Sequence, residues 1–208
     1  MVGRSDSATH HAPRLGEVVE AATFELVAEC YELHAAPPLG SLVRVRDGDT
    51  AIYAVTSSAR TGSLDAGRRP IARGQHEATE EDVYRNNPEL PELLRTEFTA
   101  AVVGFRLGGA VQQYLPPRPP RMHSFVYACP PAEVREFAAR LDFLAHLVAA
   151  GQRGSIDELV AACLRQMGHA HDDRGADRAF LVRAGKELAK LYGADLNRLS
   201  AILRRIRG

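Results

Sequence analysis

The chain of 208 residues lacks tryptophan, contains three cysteines and has no run of about 18 apolar residues, the length that crosses a membrane. Cys30, Cys129 and Cys163 lie far apart and form no Cys-x-x-Cys pair, so neither a disulfide framework nor a zinc knuckle is indicated. Each lies in an apolar run and is interpreted as a small buried hydrophobe. Residues 1–13 lack the apolar segment of a secretion signal, and we expect a cytoplasmic location.

The common nucleotide-binding and catalytic motifs are also absent. The one Gly-Lys pair, Gly185-Lys186, is followed by Glu187, whereas a P-loop needs Ser or Thr there to meet magnesium. No Gly-x-Gly-x-x-Gly, Gly-x-Ser-x-Gly or His-Glu-x-x-His pattern occurs. No candidate nucleophile stands beside a base, so we predict that the protein is not an enzyme.

One short segment concentrates possible metal ligands, namely His169, His171, Asp172 and Asp173. The segment links two predicted helices and has no partner ligand at helical spacing, which favours a solvated loop over a metal site. We therefore predict neither a metal nor a cofactor.

The overall charge is balanced, with 26 basic and 26 acidic side chains, and the mean hydropathy of −0.21 is typical of a globular protein. The balance hides an asymmetry along the chain. Residues 1–150 hold 15 arginines against 19 acidic residues, a net charge of −4, and residues 151–208 carry a net charge of +4. Direct contact with nucleic acid is therefore expected in the C-terminal quarter or at local arginine clusters.

After a predicted disordered lead-in over residues 1–13, the pattern is that of short strands separated by turn signals. Alternating apolar and polar residues predict strands with one buried face, as in a small barrel. A hairpin is predicted at Gly108-Gly109. The predicted strands cover residues 15–21, 23–31, 41–46, 51–56, 98–106, 110–115 and 123–129.

Periodicity is lost over residues 57–78, which we interpret as the start of a long excursion reaching residue 95. Within it, Thr79 followed by three acidic residues predicts the capped start of a short helix, and residues 88–95 allow a second one. The excursion and the Pro-Arg segment of residues 116–121 together carry six arginines. These side chains could bind phosphates or acidic groups of a partner, or pair with acids of their own domain. These loop arginines are Arg60, Arg68, Arg69, Arg73, Arg118 and Arg121.

Beyond Pro130-Pro131 the apolar residues repeat every 3.6 positions, which predicts helices. We expect one over residues 131–151, one that begins at a capping box of Ser155 and Glu158, one over residues 176–192 and one at the C-terminus. The last helix presents an arginine face that could contact nucleic acid or a partner, or lie in solvent. These terminal arginines are Arg198, Arg204, Arg205 and Arg207.

The predicted fold class is α+β. We expect a small closed antiparallel β-barrel of about six strands, interrupted by the loop-and-helix excursion of residues 61–95 and followed by a helical module. The predicted divisions are a lead-in over residues 1–13, a barrel domain over 14–130 and a C-terminal helical module over 131–208.

Several segments, in their order along the chain, resemble the HAS barrel, the small N-terminal β-barrel of HerA-type DNA-translocating ATPases and of ATP synthase catalytic subunits. The resemblance covers roughly residues 15–130, about half of the chain. It is carried by residues 15–20 (LGEVVE), 36–43 (APPLGSLV), 52–55 (IYAV), 116–120 (PPRPP) and 124–127 (SFVY).

The resemblance implies a role in assembly, because in HerA-like hexamers the barrels form a ring that docks the NurA nuclease in DNA end processing. The chain departs from that family by lacking the P-loop domain, so ATP-driven translocation is not implied. We expect a stand-alone, non-enzymatic adaptor that binds a HerA-type ATPase or a NurA-type nuclease in DNA repair, with self-association possible and no membrane partner. The alternative is direct nucleic-acid binding through the terminal arginines.

Overall fold

A computed structural model describes residues 12–65, 67–149, 156–171 and 174–207, with the backbone alone for residues 174 and 207. Most of the predicted lead-in and Ser155 of the predicted capping box lie outside these residues. The strands in the described part are β1 (Arg14–Ala21), β2 (Glu25–Cys30), β3 (Leu42–Asp47), β4 (Thr50–Ser63), β5 (Leu94–Leu107), β6 (Ala110–Gln112) and β7 (Phe125–Ala128).

Six strands close into an antiparallel barrel. Their order is β2-β1-β7-β3-β4-β5, and a second pairing of β2 with β5 joins the two ends of the sheet. The seventh strand, β6, extends β5 beyond the barrel through the hairpin at Gly108-Gly109, where both glycines have positive φ. The predicted α+β class and closed barrel are therefore confirmed.

The barrel interior is filled by alternate residues of every barrel strand, because successive side chains of a strand point to opposite faces. Small and branched residues dominate this core, as expected for a narrow six-stranded barrel. It contains Val18, Leu26, Ala28, Val43, Val45, Ile52, Ala54, Phe98, Ala100, Val102, Phe105 and Val126.

Seven helices lie in the described part of the chain: α1 (Glu80–Asn86), α2 (Leu90–Leu93), α3 (Pro131–Phe137), α4 (Phe143–Ala149), α5 (Ile156–His169), α6 (Arg174–Leu191) and α7 (Leu196–Arg207). The side chain of Thr79 caps α1 as predicted, by accepting from the backbone amide of Asp82. Helices α3 to α7 share a second core with the outward side of β3, β4 and β5, at Leu42, Tyr53 and Val103. The predicted boundary at residue 130 falls between β7 and α3 and stays a prediction.

The excursion begins later than predicted. Strand β4 continues to Ser63 and pairs with β5 as far as Leu94, so residues 57–63 and 94–95 of the predicted excursion are strand. Small polar residues hide this extension in the sequence, because no apolar alternation marks it. Cross-strand contacts stabilise it, including the Thr61–Thr96 hydroxyl hydrogen bond of 2.7 Å.

The single helix predicted over residues 131–151 is wrong, since α3 and α4 are separated by residues 138–142. The buried amide of Gln113 fills the break. Its nitrogen donates to the carbonyls of Phe137 (2.7 Å) and Arg140 (3.1 Å), and its oxygen accepts from the backbone amide of Phe143 (3.2 Å). Arg183 of α6 donates to the carbonyl of Ala138 at 2.8 Å. Backbone groups at the end of α3 and the start of α4, which lack intrahelical partners, thus form hydrogen bonds with side chains from distant parts of the chain.

Candidate functional site

One side of the barrel is not covered by the described helices. These pack on β3, β4 and β5, whereas the outward side chains of β1, β2 and β7 form a surface with exposed aromatic groups. Tyr31 is 52% exposed and Phe125 is 38% exposed. We name this surface the open barrel face and define it by Arg14, Glu17, Glu29, Tyr31 and Phe125.

Four side chains of the open barrel face, all except that of Glu29, contact one another. The rings of Tyr31 and Phe125 meet edge to face at 6.5 Å, and the guanidinium of Arg14 lies 4.4 Å from the centre of the Phe125 ring. The Tyr31 hydroxyl donates to Glu17 at 3.3 Å, and Nδ1 of His123 lies 3.0 Å from the same carboxylate. The face therefore presents aromatic rings, a residue type that is enriched at protein-binding surfaces, with carboxylates beside them.

A second set of polar residues joins the barrel to α3. Arg44 donates to Glu133 at 2.9 Å, and the Tyr53 hydroxyl donates to the other oxygen of that carboxylate at 2.8 Å. Arg106 donates to the Tyr53 oxygen at 3.0 Å and binds both oxygens of Glu136 at 2.8 and 2.7 Å. We name these five residues the junction cluster. Its two arginines and two glutamates line a cleft of about 900 Å³.

Three members of the junction cluster, Tyr53, Arg106 and Glu136, have pKa values shifted by their surroundings. Burial raises the pKa of Tyr53 above its ordinary value, so the phenol stays protonated. The hydrogen bonds from Arg106 lower the pKa of Glu136, and the bond to Glu136 raises the pKa of Arg106, so that pair stays charged. Both of its carboxylates accept hydrogen bonds from side chains of the barrel. We interpret it as a clamp between barrel and helices.

The loop arginines lie on different elements. Arg60 belongs to β4, the next three follow it in the excursion, and the last two precede β7. All six are exposed, and four of them pair with acidic residues of the chain. The ion pairs join Arg60 to Glu97 (2.9 Å), Arg68 to Asp65 (3.9 Å), Arg73 to Glu89 (2.7 Å) and Arg121 to Asp47.

The terminal arginines also contact their own chain. Arg198 donates to both oxygens of Asp157 at 2.9 Å and lies 4.9 Å from the Tyr192 ring. Arg205 pairs with Glu158, so two of the four residues connect α7 to α5. Arg204 is exposed, and the side chain of Arg207 lies outside the described residues. This arrangement leaves less free charge on α7 than the sequence indicates.

The candidate metal ligands are not gathered into a site in the described part of the chain. His169 is exposed, and the ring of His171 packs 5.3 Å from that of Phe180. Asp172 and Asp173 lie outside the described residues. No group of three His, Cys, Asp or Glu side chains within those residues could hold a metal ion.

The cysteines differ in burial. Cys163 is fully buried in α5, as predicted, whereas Cys30 and Cys129 are half-buried, and all three are free thiols. Burial raises the pKa of Cys163 to about 12. This thiol therefore stays protonated in the folded state at pH values where an unfolded chain has lost the proton.

We expect Cys163 to weaken the fold at alkaline pH. Below pH 9 both states keep the proton, and above it deprotonation favours the unfolded state by about 1.4 kcal/mol per pH unit until about pH 12. Compared with Cys163→Ala, the native protein should lose about 2 kcal/mol more between pH 8 and pH 10.5. Urea unfolding at the two pH values measures this, and parallel losses would contradict it.

The fold and its surfaces define a class, a closed six-stranded antiparallel barrel with helices packed on one side and an aromatic, acidic face on the other. No family model matches the chain, and no curated protein matches it in sequence. Within the described residues, no helix has the length and apolar character needed to span a membrane.

The sequence interpretation missed both the open barrel face and the junction cluster. Glu17 and Glu29 alternate with apolar residues in predicted strands, so the sequence alone could have placed these two members of the face on the outside of the barrel. Their proximity to Phe125 depends on the pairing of β1 with β7, a strand that is distant in sequence.

Proposed function

We propose that this chain is a non-enzymatic assembly or adaptor protein of the HAS-barrel type. It would act in the cytoplasm with a HerA-type DNA-translocating ATPase or a NurA-type nuclease in DNA repair or end processing. The observation that carries the proposal is the open barrel face, which leaves ordered aromatic rings exposed while the opposite side of the barrel is packed by the chain's own helices.

Three further observations support this proposal. A closed barrel of six antiparallel strands is the kind of module that the resemblance implies. The polar groups of the junction cluster bind one another, which is typical of a structural clamp. The pairing of Arg198 and Arg205 with acids of α5 favours contact with DNA through the partner rather than through α7.

A binding experiment with purified proteins tests the proposal. The tagged full-length chain, treated with nuclease, is mixed at moderate salt with the HerA-type ATPase or the NurA-type nuclease of its own host and analysed by gel filtration. We expect a complex with at least one of them. Phe125→Ala should weaken it at least tenfold, as expected when a central aromatic contact is lost.

Leu196→Ala is the matched control, because Leu196 is also an exposed hydrophobic residue, at 68%, but lies on α7. Its complex should be unchanged. The proposal fails if neither partner binds the native chain, or if the two variants weaken the complex equally.

A further inference from the structure

Five residues on the outside of the barrel form a continuous row across five strands. Strand register places Arg60 of β4 opposite Glu97 of β5, Glu97 opposite Glu29 of β2, Glu29 opposite Glu17 of β1, and Glu17 opposite Phe125 of β7. Directly opposite residues of an antiparallel pair point to the same face, and neighbouring strands lie about 4.8 Å apart. The row thus brings three carboxylates side by side.

The outward direction of the row follows from its sequence neighbours. Val18, Ala28, Phe98 and Val126 are each adjacent to a member of the row and lie in the barrel interior. Because successive side chains alternate, the row residues point away from the interior. Three members of the row, Glu29, Glu17 and Phe125, also belong to the open barrel face.

Within the described part of the chain, the outer two of the three glutamates in the row have polar partners, and the central one does not. Glu97 accepts from Arg60 at 2.9 Å and lies 3.2 Å from Arg95. Glu17 accepts from Tyr31 and contacts His123. Glu29, between them, has no ion-pair partner among the residues that the structure describes. Like charges directly opposite one another destabilise a sheet, so a cation bound at Glu29 would relieve repulsion.

The same surface already accommodates guanidinium groups of its own chain. Arg60 binds the Glu97 carboxylate through Nε and Nη2, at 3.1 and 2.9 Å. At the other end of the row, the Arg14 guanidinium lies over the Phe125 ring. Carboxylates and aromatic faces are protein groups that bind guanidinium well, and both occur here beside the unpaired Glu29.

We propose that the open barrel face binds an arginine-rich segment of a protein partner, with a partner guanidinium on Glu29 and the aliphatic part of that side chain against Tyr31. The biological setting rests on the proposed adaptor function, but the binding surface can be tested separately. The charge of the row selects a basic segment and disfavours acidic segments and nucleic acid phosphates.

The test uses the full chain and a fluorescein-labelled peptide of four Arg-Val repeats, with four Glu-Val repeats as the control peptide. Fluorescence anisotropy at about 50 mM salt measures both affinities, because screening is weak at that ionic strength. The arginine peptide should bind and the glutamate peptide should not. Glu29→Gln should weaken binding of the arginine peptide about tenfold.

Glu81→Gln provides the matched control, since Glu81 is exposed on α1 and its substitution changes the net charge equally. We expect its affinity to stay within twofold of the native value. The Glu29→Gln variant should unfold at a temperature no lower than the native chain, because it removes repulsion, so lost binding would not reflect lost folding.

The outcomes separate the two proposals. Loss of peptide binding in Glu29→Gln alone supports the guanidinium surface, even if neither candidate partner forms a complex. Equal affinities of the native, Glu29→Gln and Glu81→Gln chains, or no binding of the arginine peptide, would overturn it. A complex with the ATPase or nuclease under those same conditions would leave the adaptor function standing.

Discussion

Glu133→Ala is expected to lower the free energy of unfolding by about 3–5 kcal/mol, because it leaves a buried charge without its partner. The Arg44 side chain is only 9% exposed, and its Nε already has no hydrogen-bond partner. Removing the carboxylate also takes away the acceptor of the Tyr53 hydroxyl. Urea unfolding followed by circular dichroism gives the free-energy difference.

Glu136→Ala is the matched control, because Glu136 lies one helical turn along α3 and also pairs with an arginine of the junction cluster. Its side chain is 53% exposed, and Arg106 keeps its hydrogen bonds to Tyr53 and to the carbonyl of Gly109. We expect a loss below about 1 kcal/mol. Equal losses in the two variants would mean that burial does not determine the strength of the clamp.

A double replacement tests whether the loss of stability comes from leaving a buried charge unpaired. Changing Arg44 and Glu133 together to leucine removes both buried charges, and apolar pairs often replace buried ion pairs without loss of stability. The double variant should therefore be more stable than Glu133→Ala. If the double variant were less stable than Glu133→Ala, the Arg44–Glu133 pair would contribute more to stability than the mutual neutralisation of two buried charges.

Gly40→Ala is expected to destabilise the protein by about 2–5 kcal/mol, because it combines backbone strain with a steric clash. Gly40 has a φ of +83°, in the left-handed region, and follows the Pro37-Pro38 turn. A Cβ atom there would lie 2.4 Å from the carbonyl carbon of Ala162 and the nitrogen of Cys163. Both are backbone atoms of α5, so a side-chain rotation cannot relieve the contact.

Gly48→Ala separates the two contributions. Gly48 also has a positive φ, +61°, but a Cβ atom added there would meet no described atom within 4 Å. The substitution should cost only the strain, about 1–2 kcal/mol. The measurement is again urea unfolding. Equal losses at the two glycines would show that the barrel and α5 separate easily.

Local signals predicted much of the barrel. The two glycines at residues 108 and 109 identified the β5–β6 hairpin, and the alternation around Leu26 and Ala28 identified a strand with one buried face. Thr79 and its acidic neighbours gave the start of α1. Each of these depends on residues that are close in the sequence, where propensity and periodicity are informative.

Long-range contacts account for what the sequence did not reveal. Gln113 separates α3 from α4 from a position more than 20 residues away, and the polar end of β4 is a strand because β5 pairs with it. The row of five residues from Arg60 to Phe125 is set by the registers of four strand pairs. Two of the glutamates in the row are 68 residues apart, Glu29 and Glu97, and no local pattern indicates their pairing.

The position of β7 has a consequence for how the protein is made. This strand has four residues, fewer than any other strand of the barrel, and it lies between β1 and β3. When a ribosome has released residues 12–112, the other barrel strands are complete, yet the edges of β1 and β3 still lack their shared neighbour. The nascent sheet must stay open, with edges available for mispairing, until residues 125–128 emerge and fill the gap.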